Sequence, residues 1–238
     1  MLKYGGKLFG KYILCVVMSF FIFMSCLFIF TSAFSVVTGY NVYSVNSETG
    51  KADTHLYTYN VVDGEDLKYA EYEEQGYELL KLEIRELSKK HRNVAFAVSL
   101  LFTIPLTVGA LYVTTYNIGS KDISRVHGGF IAEDKFKGVK IGAIAAIPNL
   151  ALYVVLLLSK FGVINSNSLA FYSIVNSHLY GAVQFVFNQA KTATELDALQ
   201  LVLLFIPVLF IPAVSGVGYI LGYKEISILQ NLVYKKQK

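Results

Sequence analysis

Charge is what this sequence has least of. Only 16% of its 238 residues are Asp, Glu, Lys or Arg, against about 25% in an average soluble domain. The deficit is concentrated: residues 93–120, a run of 28, carry no charged side chain at all. A helix of that length crosses the apolar slab of a bilayer. Its core, residues 94–113, is too continuously apolar for the half-buried helix of a soluble domain. Cysteine is nearly absent too. Cys15 and Cys26 would lie roughly 16 Å apart on a helix, beyond disulfide reach, so the chain has no disulfide framework. The patterns of catalysis are missing: no P-loop, no HExxH, no GxSxG, no CxxC and no paired acids in an apolar stretch. Embedded catalysis or ion coupling places ionisable groups at depth, so a non-enzyme is expected, with no catalytic residue, metal or cofactor. The net charge of +4 is modest, and the basic residues gather at the ends of apolar runs. That excludes a nucleic-acid partner, which would need a basic patch.

What is present is apolar: 54% of residues, 14% aromatic. Residues 1–11 carry Lys3, Lys7 and Lys11, and residues 12–40 carry no charge. A basic start before an apolar run also describes a signal peptide, with Thr31, Ser32 and Ala33 as a poor cleavage site. The run of about 18 residues exceeds an ordinary signal core, so an uncleaved first span is expected. The second span, residues 94–116, has Pro105 near its centre. Thr103, Thr107, Thr114 and Thr115 are placed to return hydroxyls to the backbone carbonyls freed by a proline, and Tyr112 and Tyr116 to meet headgroups. A connector over residues 117–140 holds Lys121, Arg125, Lys135, Lys137 and Lys140. Gly128 and Gly129 form a bend in it, and Glu133 and Asp134 suit the start of the next helix.

The third span, residues 141–159, puts Pro148 and Asn149 near its middle, with Gly142, Ala143, Ala145 and Ala146 as a close-packing face. An amide at that depth needs a partner. An interhelical hydrogen bond is the ordinary reading of Asn149 and a substrate contact the sharper one. Residues 161–190 lack Asp, Glu, Lys and Arg but contain Asn176, Ser177, His178, Gly181 and Gln184. They read as an interfacial or re-entrant segment near residues 168–188, with a fifth span as the alternative. His178 reads as a satisfied interfacial histidine before it reads as a functional one, since no carboxylate or cysteine accompanies it. Thr192 and Glu195 have capping-box spacing before the last span, residues 199–223, which carries Pro207 and Pro212. All four prolines lie in spans, so kinked helices are expected. Transporters use such helices.

Residues 35–92 are the part that reads as a water-exposed module. Residues 35–45 and 55–61 have strand composition, and residues 46–53 and 63–66 have turn composition. A helix is expected over 66–75 with Gly76 as its left-handed cap. Beyond it Leu80, Leu82 and Ile84 alternate with charged residues, while Tyr77, Leu80, Ile84 and Leu87 also fit helical spacing. Strand is preferred, because the alternation is strict and Gly76 interrupts a longer helix. His55 near Asp53 is a weak ligand signal and reads as solvated surface.

The expected fold is therefore an α-helical integral membrane protein of about four transmembrane helices, with a small α+β module of β-β-α-β order between the first and second. Its parts are residues 1–34, 35–92 and 93–238. With the N-terminus inside, the inner segments hold twelve of the 21 Lys and Arg residues, and the outer ones hold Lys160, Lys191 and seven in the module. That count favours a cytoplasmic N- and C-terminus, although Lys89, Lys90 and Arg92 oppose it. The strings VHGGFIAEDKFKGVKIGAIAAIPN, NSHLYG, TATELDALQLVLLFIP and ILGYKEIS, with DGED and AEYEEQGY in the module, resemble segments of small polytopic membrane proteins of low-GC Gram-positive bacteria. The resemblance covers most of the chain, implies a bacterial cell membrane, and carries over no catalytic residue. The expected partners are the lipid bilayer and a further membrane protein, with no soluble cofactor. An accessory or structural role is expected before a small-molecule permease.

Overall fold

The computed structural model describes residues 1–45, 51–61, 67–164, 168–187, 190 and 192–226. Four helical stretches are long and apolar enough to cross a membrane: Leu2–Phe34, Lys89–His127, Lys137–Lys160 and Ala198–Tyr223. The chain is a multi-pass membrane protein. It divides into two compact units, residues 1–25 with 96–238, and residues 26–95.

In the smaller unit, strands β1 (Ser35–Val45), β2 (Ala52–Asn60) and β3 (Leu79–Leu87) form an antiparallel sheet in the order β2-β1-β3. The central strand is the one richest in Val and Tyr, and its Val42 is fully buried. Helix α2 (Leu67–Glu74) precedes β3 and ends at Gly76, whose φ of 83° is the left-handed conformation the cap requires. Tyr57 stacks on Tyr72 at 5.5 Å and Tyr40 on Tyr59 at 6.5 Å. The alternation of Leu80, Leu82 and Ile84 is thus that of a strand, edge-paired to β1. Of the turn expected over residues 46–53, residues 46–50 lie outside the described residues and the end is corrected, because β2 already begins at Ala52 and pairs there with Val45. The turn expected at residues 63–66 lies outside the described residues.

Helix α1 (Leu2–Phe34) enters the module and helix α3 (Lys89–His127) leaves it. Ser88 caps α3: its hydroxyl accepts the His91 N–H at 3.4 Å and lies 2.9 Å from His91 Nδ1. The sequence-based end of this span at residue 116 falls short. The helix continues to His127, because nothing in residues 117–127 stops it until Gly128 and Gly129, where Gly129 takes φ 71°. At 39 residues, α3 is about 58 Å long, well beyond the ~30 Å apolar slab.

Helix α4 (Lys137–Lys160) begins three residues later than Asp134, which instead accepts the Phe136 N–H at 3.1 Å. The hydrogen bond from Lys140 holds the Asp134 carboxyl below the usual carboxylate range. The expected capping box at Thr192 and Glu195 is also displaced: those residues bound a short 3-10 turn. The true box is Asp197 with Gln200, at 2.7 and 2.8 Å, opening α7 (Ala198–Leu204). The last span is not one helix. It breaks at Phe205 and resumes as α8 (Ile206–Tyr223), because Pro207 has no N–H to continue the ladder.

Between α4 and α7, residues 168–187 form α5 (Ser168–Val175), a 3-10 turn at Ser177–Leu179, and α6 (Tyr180–Phe187). Each eight-residue helix is about 12 Å long, too short to cross a bilayer alone. Each buries one face, with Tyr172 and Val183 inside, and leaves Phe171, Ile174 and Phe185 exposed, so this segment is a broken element packed into the membrane unit.

Candidate functional site

The polar residues of the membrane unit meet where its helices break. A helix that stops leaves carbonyls without intrahelical donors, and in hydrocarbon no water replaces them. Here neighbouring side chains do. Tyr12 of α1 donates to the Val175 carbonyl at 3.3 Å, at the end of α5. Thr103 of α3 donates to the His178 carbonyl at 2.8 Å. At the α7 to α8 break, the Tyr153 hydroxyl donates to the Leu201 carbonyl at 2.9 Å and the Tyr172 hydroxyl donates to that of Leu204. Ser177 reaches across to the Val16 carbonyl at 2.6 Å. The remaining threonines do not serve the proline: Thr107, Thr114 and Thr115 bond to the carbonyls of Thr103, Ala110 and Leu111, four residues earlier, and not to that of Leu101, which Pro105 leaves open.

Asn149 is at the centre of this arrangement and 1% exposed. Its amide forms a reciprocal pair with that of Asn176, at 2.9 and 3.1 Å, and the same nitrogen lies 3.5 Å from both the Tyr12 hydroxyl and the Pro207 carbonyl. Asn176 also donates to the Tyr172 carbonyl at 2.9 Å. Two apolar clusters flank the pair, one around Leu156, Tyr172 and Phe187, the other around Leu8, Ile141 and Ile211. Sequence reasoning marked Asn149 and noted Asn176, but nothing in one sequence says that two asparagines 27 residues apart face each other.

His178 is fully buried. Its ring meets Tyr12 edge-on at 5.3 Å and Phe210 at 5.5 Å, and neither ring nitrogen has a hydrogen-bond partner among the described residues. The expectation of a satisfied interfacial histidine is therefore corrected: the imidazole sits inside the helix packing, and its nitrogens find no hydrogen-bond partner among the described residues. Beside this centre a groove of about 410 Å³ is lined by Phe20, Phe23, Ile174, Tyr180 and Gln184.

A second polar group lies in the segment that the sequence presents as a connector. Asp122, on the last turns of α3, is 2% exposed. It accepts a hydrogen bond from Lys137 at 2.5 Å and one from Tyr219 at 3.0 Å, which ties α3, α4 and α8 together. The signal was available: Ile118, Asp122 and Val126 recur at helical spacing, which places Asp122 on the inward face. Among the described residues no group of three or more His, Cys, Asp or Glu stands close enough to hold a metal. No family model, curated protein or solved structure matches the chain.

The amide pair makes a direct prediction. Asn149→Leu removes one partner and leaves the Asn176 amide buried and half-satisfied, which costs about 1–3 kcal/mol. Thermal unfolding in detergent should show a midpoint several degrees lower. The double change Asn149→Leu with Asn176→Leu should recover part of that loss, because no orphan amide remains.

Proposed function

We propose that this chain is an accessory, structural subunit of a bacterial cell-membrane complex rather than an enzyme. One observation carries the reading: at the centre of the membrane unit Tyr12, Thr103, Asn149, Tyr153, Tyr172 and Asn176 are spent on one another and on backbone carbonyls of the unit's own helices. A conduit needs polar groups turned toward a pathway. Asn149, Asn176 and Tyr12 are instead turned toward each other and closed off by the two apolar clusters. The tyrosine-rich module supplies a recognition surface with little reactive chemistry in it.

A small-molecule permease is the second reading, and His178 favours it: among the described buried groups without a hydrogen-bond partner, which include the hydroxyls of Ser19, Tyr112, Ser168 and Ser215, the imidazole is the one that leaves two nitrogens open. The distribution of Lys and Arg supports termini in the cytoplasm and the module outside. Single cysteines at the exposed positions Thr54, Val163 and Ser124, placed in a chain lacking Cys15 and Cys26, check this. A membrane-impermeant thiol reagent on intact cells should label the first two and spare Ser124.

The functional test has two arms. A photo-crosslinker at Ile174, in the exposed wall of the groove, should give one discrete adduct with another membrane protein in cells. The purified chain in sealed vesicles should leave small-solute flux at the level of empty vesicles. Flux above that level, abolished by His178→Leu in a protein that still folds, overturns the accessory reading and establishes the permease.

A further inference from the structure

At the end of the membrane unit where α1 begins and α3 finishes, a cavity of about 270 Å³ opens between the two helices. Its walls follow helical spacing on both sides: Tyr4, Lys7 and Lys11 on α1, and Asn117, Lys121 and Arg125 on α3. Each wall thus carries two like charges at i and i+4, an arrangement that destabilises an isolated helix. Among the described residues none of these four cations makes an ion pair. The one carboxylate on the cavity, Asp122, is already engaged by Lys137 and Tyr219. Four cations therefore face a shared space with no anion of their own.

Depth identifies the missing anion. Lys11 immediately precedes the charge-free residues 12–40, and Lys121 immediately follows the charge-free residues 93–120. The cavity accordingly lies at the level where the apolar slab ends and lipid phosphates begin. We propose that it binds the phosphate of an anionic phospholipid headgroup. Lys7, Lys11, Lys121 and Arg125 neutralise the charge, and Tyr4 and Asn117 supply further hydrogen-bond donors. The bound phosphate bridges the start of α1 to the end of α3 and relieves the repulsion within each wall. The site is independent of which leaflet it faces.

The test uses the full chain in neutral detergent, with phosphatidylglycerol or phosphatidylcholine added, read by thermal unfolding and by native mass spectrometry of retained lipid. Phosphatidylglycerol should raise the midpoint and stay bound, because a ligand of the folded state stabilises it by mass action. Phosphatidylcholine should do neither. Lys121→Gln with Arg125→Gln should weaken phosphatidylglycerol binding about tenfold or more, while leaving the lipid-free midpoint no lower than that of the parent. Lys7→Gln with Lys11→Gln, on the opposite wall, should reproduce the loss should the first pair fail to fold. Lys135→Gln with Lys224→Gln, exposed cations outside the cavity, should leave binding intact. Equal retention of the two lipids overturns the proposal, as does an equal loss in the outside pair, which would mean diffuse attraction. Displacement of the lipid by inorganic phosphate would assign the cavity to a soluble anion and overturn the lipid source.

Discussion

Lys137→Met is expected to lower the stability of the membrane unit by about 3–5 kcal/mol, the range for stripping one partner from a buried ion pair. The reason lies with the residue left behind. Asp122 is 2% exposed and lies 2.5 Å from the Lys137 ammonium. Without Lys137, the Tyr219 hydroxyl is the one direct donor left on the carboxylate among the described residues; the exposed cations of the adjoining cavity make no ion pair with it, and one neutral donor does not offset the desolvation of a charge. The lysine side chain keeps some solvent access at 16%, so the loss belongs to the orphaned carboxylate and not to a buried ammonium.

A double-mutant cycle measures this. Lys137→Met with Asp122→Leu removes both charges and should recover most of the lost midpoint, since an apolar pair of similar volume is often as stable as a buried ion pair. Asp122→Leu alone should cost less than Lys137→Met alone, because the lysine it strands still reaches water. If the two single changes cost the same and the double change costs their sum, the pair is not coupled and this account of the α3, α4 and α8 junction fails.

That junction also marks what was and was not legible in the sequence. Spans were legible because a bilayer forbids charge over a fixed length, and the charge-free runs at 12–40, 93–120 and 141–159 record that directly. The third strand of the module was legible in part: the alternation of Leu80, Leu82 and Ile84 favours a strand, which the pairing with β1 bears out, but Leu80, Ile84 and Leu87 also keep helical spacing, and Leu82 stays exposed. Boundaries were less so. Residues 117–127 are polar, and polarity alone reads as loop, although the segment contains no proline and keeps an inward stripe at Ile118, Asp122 and Val126. The spacing of a capping box occurred twice, at Thr192 with Glu195 and at Asp197 with Gln200. The second governs because it abuts the first residues of α7.

The candidate site was half legible for a related reason. Asn149 and His178 stand out against apolar neighbours, but what they do depends on which carbonyls are left open, and that depends on where helices break. Pro207 announces one break. The other, between α5 and α6, has no proline, and its Val175 and His178 carbonyls are met instead by the Tyr12 and Thr103 hydroxyls. Polar residues in these spans are thus largely the consequence of broken helices. The unpaired imidazole of His178 has no such explanation, which is why the permease reading turns on it.

The closest backbone approaches give the second large effect. Gly218 and Gly222 on α8 have the small-xxx-small spacing that lets membrane helices touch, and both face α3. A Cβ at Gly222 would lie 2.8 Å from the Tyr116 Cα and carbonyl carbon and would run into its carbonyl oxygen; one at Gly218 would lie 2.9 Å from the Tyr112 carbonyl oxygen. These obstacles are backbone and cannot rotate away. Gly222→Leu should therefore force α8 off α3 and cost about 3 kcal/mol or more, with Gly222→Ala costing about 1–3 kcal/mol, the range for overpacking a close-packed core. A Cβ at Gly10 of α1 meets nothing within 4 Å, so Gly10→Ala should be neutral or stabilise by up to about 1 kcal/mol through helix propensity alone. Separation of α3 from α8 would also pull Tyr219 away from Asp122. The Gly222→Leu and Lys137→Met changes should consequently be less than additive in unfolding midpoints, because each weakens the same three-helix junction. Strict additivity would mean that the glycine contact and the ion pair hold separate parts of the bundle.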